Sequence, residues 1–527
     1  MDILSRILVL FLRLFRNGLD YVSTLAFEWF YEGKQEKLPP IEDVCLLEPA
    51  HVLASKIRRR ELRSVDVVRA YIHRIRQVQP FVNAIVEDCF AEAVEAAIEV
   101  DRLVEEGGGA GEEETPFLGV PVTIKEAIAL KGCLYTVGLA ARRGMRAESD
   151  SDVVSLLRRA GAIPIAVTIT PELCFWWESY NTLYGVCKNP YDTTRTAGGS
   201  SGGEGAILGA AGSVIGVGND IGGSIRIPAF FNGIFGHKPT RGVVSNGGQY
   251  PTAAPALQSF LIAGPMCRYA SDLLPMMRVL ASDHHRQRLK MDEQVNLKDL
   301  KIYYMENEGG NPLISAVDPE ILNAQQKVLK HFSTEYGLTP TLISDVPHLQ
   351  HCFETWSKVL TASDLRPVDE EMTGRKGRAY MPLEILKWAL GVSNHILPVL
   401  ISALLGRAWA PQGEKGAEPH FRKMREMEEF FEGLLKQNGI FIFPTNPDLA
   451  LHHGHAILKP FGVSYTALFN LLGLPVSQCP VGLSSKGLPV GLQVVGPHCG
   501  DRLTIAVAME IERVFGGWVP PSPVDVV

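Results

Sequence analysis

The run AGGSSGGEGAILGAAGSVIGVGNDIGGSIRIP, residues 197–228, carries serines inside two glycine turns. One turn spans Gly198 to Gly203 around Ser200 and Ser201, and the other spans Gly222 to Ser224. Glycine has no Cβ and tolerates positive φ, so such turns set a hydroxyl beside bare backbone N–H groups. Acyl transfer needs that pairing: a nucleophile, and donors for the oxyanion that forms when it attacks a carbonyl.

Two serines compete for the nucleophile's role. Gly198-x-Ser200-x-Gly202 has the form of a GxSxG elbow, whose serine directly follows an apolar strand. The residues ahead of it are KNPYDTTRT, Lys188 to Thr196, polar and turn-like, which argues against an elbow. Ser224 follows the apolar run Val214 to Val217 and the triplet GND, and it precedes Ile225 to Phe231, which reads as a helix start. The N–H groups of Ile221, Gly222, Gly223 and Ser224 can then converge near a helix N-terminus and hold an oxyanion. On these residues alone, an ordinary glycine loop remains the alternative. A phosphate cradle is a poor reading, because neither GxxxxGK[ST] nor a well-formed GxGxxG is present.

A base is available in PFLGVPVTIKEAI, residues 116–128. Val120, Val122 and Ile124 alternate as in a strand, and Lys125 stands at its end. A lysine among apolar neighbours is ordinarily ion-paired or snorkelling. If it is buried and dry, desolvation lowers its pKa from about 10.4 to about 7–8, at a cost of roughly 4 kcal/mol, and the neutral amine becomes a general base. A serine activated by such a lysine needs no histidine.

The elements that must position these groups alternate helix and strand. Ser64 is placed to cap a helix over Val65 to Gln79, with Val68, Tyr71, Ile72 and Ile75 on one face. A second helix runs from Ala91 to Glu106 and ends in the surface loop GGGAGEEE, residues 107–114. Ser151 to Arg159 reads as a helix, and residues 161–169, GAIPIAVTI, as a buried strand. The pattern predicts an α/β architecture without internal repeats. At 527 residues and 46% hydrophobic content the chain can bury a large core.

A net charge of −7 supplies no field for nucleic acid, which is excluded as a partner. The nine cysteines are scattered and contain no CxxC pair, so they read as reduced, mostly buried thiols in a cytosol-facing protein. His452, His453 and His455 read as a solvated loop rather than a metal site, and neither metal nor cofactor is expected.

Membrane contact is signalled twice. ILSRILVLFLRLF, residues 3–15, is apolar but broken by Arg6 and Arg13. On a wheel at about 100° per residue, Asp2, Arg6, Arg13, Arg16, Asn17 and Asp20 share one arc. An in-plane amphipathic anchor is the favoured reading, ahead of a tilted span or a cleaved signal peptide. The second signal is residues 381–405, MPLEILKWALGVSNHILPVLISALL, which Ser393-Asn394-His395 and Pro398 break into two helical pieces. Each piece is about ten residues, or about 15 Å, too short to cross a bilayer of about 30 Å, so the segment reads as a hairpin dipping into one leaflet or as two core helices.

Taken together, Lys125, GGSSGGEG (residues 198–205) and GNDIGGSIRIPAFFNGIFGHKPTRG (residues 218–242) closely resemble the amidase signature family. The spacing agrees: 75 residues separate Lys125 from Ser200, and 24 separate Ser200 from Ser224. FNLLGLPVSQCPVGLSSKGLPVGLQVVGPHCGD, residues 469–501, extends the match over most of residues 45–518. Within that family the fatty-acid amide hydrolases are most alike.

The resemblance implies the fold, a large twisted mixed β-sheet covered by helices on both faces, and a Ser–cis-Ser–Lys triad. Lys125 would take a proton through Ser200 while Ser224 attacks the amide carbonyl, and the N–H groups of Ile221, Gly222, Gly223 and Ser224 would hold the oxyanion. It also places Cys174, Phe175 and Trp176 along an acyl channel and residues 381–405 at a membrane cap. Residues 1–36 would form the anchor and 37–527 the catalytic domain. The implied substrate is a lipid amide met at a membrane or lipid-droplet surface, with the endoplasmic reticulum or a lipid droplet as location; a homodimer is compatible with the chain. Arg13 and Arg16 interrupt the clean transmembrane segment the resemblance implies. Two alternatives share the scaffold: a glutaminase-type subunit passing ammonia to a partner enzyme, and a lipid-binding descendant without activity.

Overall fold

The computed structural model describes residues 3–107, 111–251, 255–363, 365–411 and 413–526. Its centre is a sheet of eleven strands. In chain order they are β1 (Ile85–Asp88), β2 (Pro121–Lys125), β3 (Ile163–Thr168), β4 (Ile215–Asp220), β5 (Phe235–Lys238), β6 (Ile262–Cys267), β7 (Lys301–Tyr304), β8 (Thr341–Leu342), β9 (Gly439–Phe443), β10 (Val476–Leu483) and β11 (Pro489–Val495). The spatial order is β1-β3-β2-β4-β6-β5-β10-β11-β9-β7-β8. β2 pairs in parallel with both β3 and β4, whereas β4 meets β6 antiparallel, so the sheet is mixed as expected.

Alternate residues of β9 feed two separate cores. Ile440 and Ile442 join one, and Phe441 and Phe443 join the other. Side chains alternate across a strand, so apolar cores must lie on both faces of the sheet. β2 is buried at every position, which explains its near-continuous apolar run.

The helices that matter to the site are α1 (Ile3–Tyr31), α2 (Ser64–Val82), α3 (Phe90–Glu105), α4 (Asp152–Arg159), α5 (Gly202–Gly209), α6 (Arg226–Phe231), α7 (Cys352–Ala362), α8 (Met381–Ala389), α9 (Leu397–Trp409) and α10 (Ser464–Leu471). α4 starts as its sequence predicts: the Ser151 hydroxyl accepts the Val154 N–H at 3.3 Å, with Asp152 in the first turn and Arg158 and Arg159 in the last, matching the helix dipole. α2 buries Val68, Tyr71, Ile72 and Ile75 as its periodicity requires, but Ser64 does not cap it. The Ser64 hydroxyl is drawn to the Gly119 carbonyl at 2.9 Å, and the Asp101 carboxylate of α3 accepts the N–H groups of Ser64 and Val65 at 2.6 and 3.1 Å. A charged acceptor from a packed neighbour outcompetes the local hydroxyl. Part of the 107–114 loop lies outside the described residues.

α1 lies against the body through Arg13, Arg16 and Asp20 of its polar arc. Arg13 donates to the Gly310 carbonyl at 2.7 Å, and Arg16 donates to the Leu458 carbonyl at 2.7 Å while pairing with Asp20. Ser23 meets His455 Nε2 at 3.0 Å, Phe27 stacks on His455, and Tyr31 stacks on His452. The histidines at 452, 453 and 455 are therefore not a solvated loop. Burial lowers all three, His453 and His455 to about 4, because they form the seat for α1. The opposite face of α1 exposes Phe11, Leu14, Phe15, Val22 and Trp29, the last 78% exposed.

Residues 381–409 form two helices, α8 and α9, as the apolar pattern predicts. Gly391 turns the chain at φ +72°, and Pro398 sits in the first turn of α9, where its missing N–H costs nothing. α8 is exposed on Leu383, Leu386 and Trp388, whereas α9 buries Val399 and Leu400 against the body. No helix of the described residues is long and apolar enough to cross a membrane.

Candidate active site

Three chain segments converge at the C-terminal ends of β2 and β4, where parallel strands leave room for a site. Lys125 ends β2 and is fully buried. Its Nζ lies 2.7 Å from Ser200 Oγ and 2.6 Å from Asn219 Oδ1. Burial pushes its pKa below the ordinary lysine value; the carboxylates of Asp220 and Glu204 pull the other way. Asn219 is fixed in turn by donating to Gln249 Oε1 at 2.7 Å.

Ser200 stands just ahead of α5, with a cis peptide between Gly199 and Ser200. Glycine is required at Gly199, because a Cβ there would lie 2.7 Å from the Trp176 carbonyl oxygen. The serine turn thus packs directly on residues 176–178. No strand runs directly into Ser200, so the elbow reading fails on structure as well as composition. The Ser201 N–H donates to the Ser224 carbonyl at 3.1 Å and ties the two serine turns together.

Ser224 sits between β4 and α6 in a turn held from below by Asp220. That carboxylate accepts the N–H groups of Gly223 and Ile225 at 2.7 and 3.0 Å and forms two bonds to the buried Arg226 guanidinium. It is desolvated, yet Arg226 and these donors hold it at about 2. Of the four expected oxyanion donors, Gly223 is therefore corrected: its N–H is committed to Asp220. Among the described residues the N–H groups of Ile221, Gly222 and Ser224 have no acceptor. Gly223 is still needed for its conformation, φ +131°, and because a Cβ there would strike Thr466 Oγ1.

Cys174 comes beside Lys125 and Ser200, and burial raises its thiol above the ordinary range. Phe175 and Trp176 follow it, half-buried, and all three pack with Ile396, Val399 and Leu400 at the start of α9. Glu172 fastens that contact: one oxygen meets His395 Nδ1 at 2.6 Å and the other accepts the Ile396 N–H at 2.9 Å. A cavity of about 440 Å³ opens between Trp176, Trp388, Ile396, Leu397 and Ile457.

Several residues here were not singled out from sequence. Asn219 and Asp220 were visible in GNDIGGS, but nothing local says that one carboxamide would face Lys125. Glu204, in GGSSGGEG, is buried between the Thr123 and Thr168 hydroxyls at 2.7 and 2.8 Å and is pushed up to about 7 by desolvation. Trp356 of α7 gives its indole N–H to the Ile221 carbonyl at 2.9 Å and covers Gly222. Its arrival from 135 residues away leaves no sequence signal.

The comparisons with known proteins show the family and the fold. The Amidase family model matches residues 66–505. The chain is 44% identical over 514 residues to Fatty-acid amide hydrolase 2-A of Danio rerio, covering 95% of this chain and 96% of that one. It is 45% identical over 495 residues to Fatty-acid amide hydrolase 2 of Homo sapiens, covering 92% of each. Among solved structures, a fatty acid amide hydrolase superposes with a TM-score of 0.72 at 24% identity, covering 94% of this chain and 89% of that one, which speaks for the fold. A buried lysine–serine pair beside a glycine turn, on this sheet and with these relatives, has one family reading: the chain belongs to the amidases, as an amide-hydrolysing enzyme of the fatty-acid amide hydrolase type.

Proposed function

We infer that the enzyme cleaves fatty-acid amides, both primary amides such as oleamide and N-acylethanolamines, through Ser224, Ser200 and Lys125. The observation that carries this reading is the 2.7 Å contact between Lys125 Nζ and Ser200 Oγ in a fully buried setting. Neutral Lys125 takes the Ser200 proton as Ser200 takes the Ser224 proton, and Ser224 Oγ bonds to the carbonyl carbon. The negative oxygen is received by the N–H groups of Ile221, Gly222 and Ser224. The proton then returns through Ser200 to the leaving nitrogen, the C–N bond breaks, and water releases the fatty acid by the same relay.

Cys174, Phe175 and Trp176 line the acyl path in this reading. Residues 1–36 act as an in-plane anchor and 37–527 as the catalytic domain, a reading supported by the apolar side chains that α1 and the α8–α9 hairpin turn outward. The lipid amide then enters from an endoplasmic reticulum membrane or lipid-droplet surface. A homodimer would hold two such surfaces together.

The deciding experiment compares oleamide, an N-acylethanolamine and glutamine as substrates of the purified protein and of Ser224→Ala. Turnover of the lipid amides, lost together with fluorophosphonate labelling in the variant, is the expected result. Covalent labelling that persists in Ser224→Ala overturns the nucleophile. Preference for glutamine would favour the amidotransferase-subunit alternative.

A further inference from the structure

Away from the catalytic cleft, two cysteines face one another across the β1–α3 junction. Cys89 Sγ and Cys133 Sγ lie 3.0 Å apart, and no other pair of cysteines among the described residues is in such contact. All nine cysteines are free thiols. Cys89 is partly exposed, Cys133 is 8% exposed, and both border an open cavity of about 370 Å³ that also carries Glu87, Glu92, Lys131, Arg146 and Arg158.

The backbone around each thiol is already fixed. Cys89 donates to the Ile165 carbonyl at 2.9 Å and accepts the Ala93 N–H at 2.9 Å. Cys133 donates to the Leu130 carbonyl at 3.0 Å and accepts the Ala147 N–H at 3.0 Å. Its neighbours are clamped as well: Arg146 holds the Gly132 carbonyl at 2.6 Å, and Glu87 accepts the Leu134 N–H at 2.5 Å. A disulfide has strict geometric demands and is strained when backbone must travel to meet them. Here the sulfurs meet with both backbones anchored.

We propose that Cys89 and Cys133 are a modification site: a dithiol that small hydroperoxides convert to a disulfide and thiols reduce again. The hydrogen bond shared by the two thiols, with Arg146 assisting, holds Cys133 below the ordinary thiol range, which makes it the proposed attacking group. Its thiolate attacks one peroxide oxygen, the O–O bond breaks, and the departing oxygen leaves as water or an alcohol after taking up a proton, leaving a sulfenic acid. Cys89, losing its proton, attacks that sulfur; the S–O bond breaks, water departs and the S–S bond forms. Two thiols have lost two hydrogens, and one hydroperoxide has become an alcohol, or water, plus water.

The link would tie the cap of α3 to the segment that leaves Lys125. That segment runs on to Val137, whose carbonyl accepts the Leu173 N–H at 2.8 Å, immediately before Cys174. Oxidation would therefore stiffen the connection between the base strand and the proposed acyl path without touching either serine.

The test treats the purified full-length protein with hydrogen peroxide, blocks remaining thiols with an alkylating agent, and maps cysteine peptides by mass spectrometry. The expected result is a linked Cys89–Cys133 peptide lighter by two hydrogens, abolished by dithiothreitol, with Cys187, Cys267, Cys352 and Cys479 left as thiols. In Cys89→Ser, dimedone should trap Cys133 as the sulfenic acid. Recovery of Cys89 and Cys133 unlinked after peroxide, whether alkylated separately or carried to sulfinic acid, overturns the proposal in the wild-type protein without reliance on the variant.

Discussion

Glu172 and His395 join two parts of the chain 223 residues apart: the carboxylate grips the imidazole and the next N–H at the break of the apolar hairpin. Cys174, Phe175 and Trp176 start two residues later, so the hairpin and the proposed acyl path are set by one carboxylate. In His395→Ala the hairpin loses the imidazole half of this tie. KM for long-chain amides should then rise about tenfold, the equivalent of about 1.4 kcal/mol, while kcat and the turnover of short amides stay near wild type. Equal losses for short and long amides would show that Glu172 serves the reacting centre instead.

Lys125 predicts the pH profile. Its folded pKa lies below the ordinary lysine value because the amine is buried, and only the neutral amine accepts a proton. The acidic limb of kcat/KM should therefore rise at a pH below the lysine range, and Lys125→Ala should lose that limb along with most of the rate. The linkage has the same sign. Between the folded and unfolded values the unfolded chain binds more protons, so wild-type stability gains from this group as pH rises through that window, and Lys125→Met removes the gain. Urea titrations at several pH values read it directly.

Asp220 is the structural counterpart. Asp220→Ala strands the buried Arg226 guanidinium, a change that costs about 3–5 kcal/mol, and it releases the Gly223 and Ile225 N–H groups. Stability should fall by that order in denaturant titration, and kcat should fall further in the protein that remains folded. The carboxyl is held at about 2 against an ordinary 3.8, so its contribution is complete above the ordinary value and is lost as pH falls toward about 2.

α1 makes a prediction about lipid. Arg13, Arg16 and Asp20 are spent on the protein, so the exposed aromatic and aliphatic face is what a bilayer can receive. Each large apolar side chain is worth about 1.5–3 kcal/mol on full transfer, so Phe11→Glu with Phe15→Glu should weaken co-sedimentation with vesicles by at least about 100-fold. Turnover of a short, water-soluble amide should be unchanged. Release of the wild-type protein by alkaline carbonate would agree with an in-plane anchor, and retention would demand a span.

The sequence made the periodic elements and the glycine turns readable because their signals are local. β2, α4 and the two halves of the 381–409 hairpin follow from alternation, caps and breakers within a few residues of each element. Lys125 and the two serines were singled out as a set by the family resemblance, and of their contacts the structure shows Lys125 Nζ 2.7 Å from Ser200 Oγ. What escaped was set by distant contacts. Ser64 had the right type and position for a cap but lost to Asp101, and His452, His453 and His455 became a buried seat only because α1 lies on them. Gly223 looked like its glycine neighbours in sequence, yet the Asp220 carboxylate beneath the turn takes its N–H.

Trp356 bears on how the glycine turn meets a growing charge. In a trans peptide the C=O and the following N–H point in opposite directions. The indole N–H holds the Ile221 oxygen, so the Gly222 N–H must face away from the tryptophan; the Thr466 hydroxyl, 2.6 Å from the Gly222 oxygen, aims the Gly223 N–H at Asp220 in the same manner. The Gly222 N–H, a proposed oxyanion donor, is thus oriented before any substrate arrives, while the Gly223 N–H is spent on Asp220. Water around a nascent oxyanion must rotate to solvate it, whereas the Ile221–Gly222 dipole has already stopped turning, and the reorganisation cost was met when the chain folded.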